Sequence, residues 1–77
     1  MRFSWDERSN YGLNQLNDQS RPALRDAIIN WANGAEGWNP ATQTQNFQGI
    51  PGVPGTMRVT ATRTAADQVT IDDIEVR

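Results

Sequence analysis

The chain has no lysine, no histidine and no cysteine, and all seven of its positive charges are arginine, at Arg2, Arg8, Arg21, Arg25, Arg58, Arg63 and Arg77. Without histidine and lysine, the usual general base and nucleophilic amine are missing. Without cysteine, thiol chemistry, disulfides and soft metal sites go as well. No Ser-His-Asp or Cys-His arrangement can be built, and no phosphate-binding Gly loop with its Lys occurs. What remains is guanidinium, carboxylate, hydroxyl and amide. A guanidinium stays protonated and presents a planar fork of donors, so an arginine-only chain is equipped to grip phosphate or carboxylate rather than to move protons. Codon usage alone also produces such a bias.

Long apolar runs are missing too. No stretch approaches the roughly 20 apolar residues that span a bilayer. The start Met1-Arg2-Phe3-Ser4-Trp5-Asp6 lacks the basic and apolar regions of a signal peptide, so no membrane partner and a cytoplasmic location are expected. The net charge of −2 provides no overall attraction to nucleic acid, and any contact with RNA or DNA has to come from a local cluster of arginine.

Seventy-seven residues make one small domain, with 35–55 as a long connection. Met1, Phe3 and Trp5 alternate with Arg2 and Ser4, the period of a half-buried strand over 1–5. Asp6 is placed to cap a first helix that ends near Asp18, with Glu7 in its first turn and Tyr11, Leu13 and Leu16 as a weak apolar stripe despite Gly12. Ser20 is placed to cap a second helix over about 21–33: Pro22 sits in its first turn, Leu24, Ala27, Ile28 and Trp31 recur at helical spacing, and Gly34 closes it. A helical hairpin or one kinked helix follows.

From Ala35 to Gly55 glycine, proline and uncharged polar residues dominate. Asn46-Phe47-Gln48 reads as a brief strand or a turn that drops Phe47 into the core. Met57, Val59 and Ala61 then alternate with Arg58, Thr60 and Thr62. Thr64-Ala65-Ala66-Asp67 makes a turn, and Gln68 to Val76 is the partner strand. Its inward residues Val69 and Ile71 are out of phase with Ile74 and Val76, which reads as a β-bulge at Asp72-Asp73. The fold class is α+β: strand, helical hairpin, long Gly/Pro loop, antiparallel hairpin, with the helices on one face of a small antiparallel sheet.

A short first strand, a helical hairpin ending in Gly, a Gly-rich element before Met57-Arg58-Val59, and a last strand running Val69-Thr70-Ile71-Asp72-Asp73-Ile74-Glu75-Val76-Arg77 together resemble the RelE/ParE superfamily of toxins. There a small loop, a Gly and an x-Arg-Val strand recur, as does a terminal strand ending in Arg. The resemblance implies an mRNA endonuclease acting at the ribosome or a gyrase poison, neutralised by an antitoxin that wraps the sheet and helices. Arg58 matches the Arg that opens the strand after the Gly, and Arg77 the Arg that closes the last strand; Arg63 has no certain counterpart. In the nuclease branch such arginines stabilise the charge that develops as an RNA 2′-hydroxyl attacks, with no metal needed. Members that act on the ribosome are usually basic and often use Lys, His or a late Tyr, none of which follows Arg58. The resemblance therefore implies a short, non-nucleolytic member.

The candidate partner- or anion-binding residues are Arg2, Arg58, Arg63 and Arg77, with Trp38 as a loop anchor between Gly37 and Asn39. Trp5 and Trp31, at periodic apolar positions, read as core. Arg21 and Arg25, one helical turn apart, read as a possible anion site or as a plain exposed pair. The acidic cluster Asp67, Asp72, Asp73 and Glu75 matches no metal-loop spacing, and Asp72 and Asp73 are expected on opposite faces, so neither metal nor cofactor is expected. The function that follows is partner binding through an Arg-bearing sheet surface, of toxin-antitoxin type, with a protein partner, RNA or the ribosome, or a second copy as its target. The alternatives are a metal-independent mRNA endoribonuclease and a non-catalytic accessory or structural domain of phage type.

Overall fold

In the computed structural model, which describes every residue from Met1 to Arg77, the elements are β1 (Arg2–Trp5), α1 (Glu7–Asn14), α2 (Ser20–Ala32), a 3-10 turn (Ala35–Gly37), β2 (Thr42–Phe47), β3 (Met57–Ala65) and β4 (Gln68–Val76). The α+β class read from the sequence holds: both helices pack on one sheet, of order β1-β4-β3-β2. The sheet is mixed, however, and not antiparallel throughout. β2, β3 and β4 form an antiparallel meander, while β1 runs parallel to β4 from Arg2 opposite Gln68 to Trp5 opposite Ile71. The helices carry the chain across the sheet after β1, the crossover that a parallel neighbour requires.

Local chemistry sets the helix boundaries. Asp6 caps α1: its carboxylate accepts the Ser9 N–H at 3.0 Å, and the Ser9 hydroxyl donates to the Asp6 carbonyl at 3.0 Å. The helix stops at Asn14 rather than near Asp18, because Asn17 begins the next cap. Its Oδ1 accepts the N–H groups of Gln19 and Ser20 at 3.0 and 2.7 Å. Asn17 thus takes the role expected of Ser20. The Ser20 side chain is buried and donates instead to the Pro51 carbonyl, pinning the start of α2 to the loop before β3.

The core lies between helices and sheet. Leu13 of α1 and Leu24, Ile28 and Ala32 of α2 meet Met57, Val59 and Ala61 of β3 and Val69, Ile71 and Ile74 of β4. Beside it Trp31 packs on Trp38, with ring centroids 4.7 Å apart, and edge-on to Phe47 at 5.9 Å. Trp38 is thereby half-buried and not an exposed loop residue. This aromatic cluster explains why 35–55 is not a featureless loop. It draws in the 3-10 turn and Phe47, so that Thr42–Phe47 lies against β3 as a full strand, longer than the brief one expected at Asn46–Gln48.

Two irregularities shape the sheet. Thr60 faces Asp73 but Ala61 faces Ile71, so Asp72 is an extra residue in β4, the bulge foreseen in the phase slip. Both Ile71 and Ile74 are buried, which leaves Asp72 and Asp73 together on the open face, not on opposite faces. The Asp72 carboxylate accepts the Thr62 hydroxyl at 2.7 Å there. A second register shift follows between Arg63 and Ala65.

α1 comes closest to β4 at Gly12. A Cβ at this position would lie 2.7 Å from the Ile74 carbonyl oxygen and 2.8 Å from the Ile74 Cβ. Alanine favours a helix over glycine by about 1 kcal/mol, but the obstruction is strand backbone, and overpacking of this kind costs about 1–3 kcal/mol. The clash therefore outweighs the propensity. Gly12→Ala is expected to lower the urea midpoint at an unchanged m-value; a midpoint equal to or above the parent's would show that α1 can lift off β4 freely.

Candidate functional site

One face of the sheet carries the helices and the other is open. On the open face the register aligns Thr42 with Thr62 and Thr70, Thr44 with Thr60 and Asp73, and Asn46 with Arg58 and Glu75. Beyond them Thr56 and Arg77 exchange backbone hydrogen bonds, Arg77 N–H to the Thr56 carbonyl at 2.7 Å and Thr56 N–H to the Arg77 carbonyl at 3.4 Å. Thr42 and Thr62 hydroxyls lie 2.9 Å apart, and those of Thr44 and Thr60 3.3 Å. The face is polar, dominated by threonine, and unlike an apolar docking surface.

At the end of this face lies an open recess of about 430 Å³ lined by Thr44, Asn46, Gln48, Thr56, Arg58 and Arg77, with no hydrophobic residue among them. Arg58 and Arg77 come from adjacent strands. Arg77 bridges to Glu75 at 3.4 Å with both side chains about half exposed, an ion pair that water screens heavily. Arg58 makes no ion pair and no side-chain hydrogen bond, and is exposed. Two guanidiniums flanked by amides and hydroxyls are suited to an oxyanion, since each supplies charge-assisted donors in a planar fork.

The other candidates lie elsewhere. Arg2 is at the far end of the sheet, opposite Gln68, and pairs with Asp67 at 3.7 Å. Arg63 falls in phase with Met57, Val59 and Ala61, so it turns toward the helices. Its Nη1 donates to the carbonyls of Ala35, Glu36 and Trp38, each at 3.1 Å, fastening the 3-10 turn to β3. The larger recess beside it, about 540 Å³ and lined by Glu36, Arg63, Thr64, Ala65 and Ala66, therefore offers a guanidinium already engaged, next to a carboxylate. Trp38 sits with Trp31, away from the Arg58–Arg77 pair.

Of the helix pair, Arg21 donates to the Leu13 and Leu16 carbonyls at 3.2 and 2.7 Å and bridges to Asp18, closing the end of α1. Arg25 lies over the Trp5 ring, 5.2 Å from its centroid. Tyr11 lines a different recess with Glu7, Arg8, Asp73 and Ile74. No group of His, Cys, Asp and Glu is arranged to hold a metal ion.

Of the residues singled out in the sequence, Arg58 and Arg77 thus line one recess and Arg2, Arg63 and Trp38 do not, while Thr44, Asn46, Gln48 and Thr56 were not singled out. Three of these four lie on or next to β2, and nothing in an uncharged polar run says that it will lie flat against β3. Comparison with known protein families, with curated proteins and with solved structures finds no match for this chain.

The two arginine classes should separate in stability measurements. Arg63→Ala leaves two partly buried carbonyls, of Ala35 and Trp38, without this donor and is expected to cost about 1–3 kcal/mol, whereas Arg58→Ala, at an exposed unpartnered position, should stay within about 0.5 kcal/mol of the parent. Chemical denaturation of both variants checks this, and equal losses would contradict the division.

Proposed function

We propose that the protein acts by binding a macromolecular partner through Arg58 and Arg77, on the open sheet face, as a small cytoplasmic RelE/ParE-like member of a toxin-antitoxin pair. The observation that carries this reading is the convergence of these two arginines, from β3 and from the end of β4, in a recess with no apolar lining. They are also the two positions that the family resemblance singles out.

The chemistry favours a protein partner bearing carboxylates over RNA. The face beyond Arg58 carries Asp73 and Asp72, and the chain has a net charge of −2, so an extended polyanion meets repulsion within one or two residue positions of the site. A discrete acidic side chain does not. It replaces Glu75 as the partner of Arg77 and engages the free Arg58 as well. The endoribonuclease reading lacks what its mechanism needs. Arg2 and Tyr11 lie apart from the recess, and the only proton-accepting side chain at the arginines, Glu75, is tied to Arg77.

Induced expression tests the reading. The parent chain is expected to arrest growth, and Arg58→Ala and Arg77→Ala, at equal soluble level, are expected to relieve the arrest. Growth unaffected by the parent would overturn the toxin assignment. In vitro, either substitution should weaken binding of a fluorescent peptide carrying one glutamate among uncharged residues by about ten- to a hundredfold, the equivalent of about 1.5–3 kcal/mol for charge-assisted hydrogen bonds. Glu75→Gln, which removes the internal competitor, should tighten binding severalfold.

A further inference from the structure

We infer that β2 is a pairing edge for a second copy of this chain, joined antiparallel across a two-fold axis at Thr44 into one continuous eight-stranded sheet. The inference rests on the backbone, the charge and the contrast between the two sheet edges, and it stands whether or not the arginine site binds an anion.

β2 is the last strand of the sheet, with no neighbour on its outer side. The Arg63 N–H donates to the Ala41 carbonyl at 3.0 Å, so the odd-numbered residues of this segment turn their backbone groups toward β3. By the alternation of an antiparallel ladder, Thr42, Thr44 and Asn46 turn theirs outward. All three are exposed. Natural edges of this kind are usually blunted by a charge, a proline or a bulge. Thr-Gln-Thr-Gln-Asn-Phe has none of these, and no charged residue occurs anywhere between Glu36 and Arg58.

The opposite edge is guarded. β1 covers the first part of β4 with only four residues and carries Arg2, and α1 approaches the rest of β4 through Gly12 at Ile74.

Neutrality is what identifies the occupant. An antiparallel pairing of β2 with itself brings no like charges together, in a chain whose other surfaces are studded with 16 ionised side chains. Centred on Thr44, it sets Thr44 opposite Thr44 and Thr42 opposite Asn46, so the hydroxyl and amide rows of the open face continue across the junction. The two arginine recesses then lie on one face. Arg58 of each copy is separated by three strand spacings across and four residues along, roughly 20 Å.

The absence of cysteine makes the test clean. Thr44→Cys places the only thiols of the dimer directly opposite each other, at a separation a disulfide spans. It should cross-link rapidly under mild oxidation, while Thr64→Cys, on β3 and away from the edge, should not. Sedimentation equilibrium of the parent should show a concentration-dependent rise from 8.6 kDa toward twice that mass. Thr44→Lys, which opposes two like charges, and Thr44→Pro, which removes only an outward N–H, should both remain monomeric with unchanged circular dichroism. A parent that is monomeric at every concentration overturns the inference. So does a dimer that persists in the folded Thr44→Lys variant, because it would be held by another surface.

Discussion

The extra residue at Asp72 decides which side chains of β4 share a face, and the core and the candidate site both follow from it. Before the bulge Val69 and Ile71 point to the helices; after it Ile74 does, although it stands three residues further on. A regular strand would have turned Ile74 to solvent. It would also have sent Glu75 and Arg77 into the apolar layer, where an arginine with no partner is costly. The single inserted residue avoids both outcomes and brings Arg77 beside Arg58. Because Asp72 is itself bonded to Thr62 on the neighbouring strand, the irregularity is held in place by a hydrogen bond.

Two arginines hold chain segments of the fold together. Arg63 gathers the carbonyls of Ala35, Glu36 and Trp38 through Nη1, and Arg21 those of Leu13 and Leu16 through Nε and Nη2, so each clamps a chain segment at the end of a helix or turn. At Arg21 the two bonds come from different nitrogens of the planar fork, which a lysine ammonium lacks. Arg58 and Arg77 stand outside this scheme, in a recess with no hydrophobic residue in its lining, and the proposed function uses these two.

Elements with strong local periodicity were legible in the sequence. The alternation around Met57–Thr62, the stripe Leu24, Ala27, Ile28 and Trp31, and the phase slip between Ile71 and Ile74 each describe one face of one element, and each survives in the structure. What sequence could not carry were relations between distant segments. The parallel placement of β1 depends on the crossover rather than on any residue in β1. The strand character of Thr42–Phe47 comes from Trp31, Trp38 and Phe47 meeting in space, because its own residues are polar and without periodic contrast. Gly12 reads as a flaw in a helix until Ile74 is seen against it. Arg63 reads as a surface charge until the register puts it on the buried face.

In the proposed function Arg58 and Arg77 act together as one anion-gripping pair, while Arg21 and Arg63 serve the fold. The direct measurement is a proton–nitrogen spectrum of the seven arginine Nε–Hε groups, assigned by single substitution and titrated with the single-glutamate peptide. The Arg58 and Arg77 resonances are expected to shift along one binding curve, with Arg21 and Arg63 unmoved. Shifts spread over all exposed arginines, or centred on Arg2 or Arg63, would contradict it.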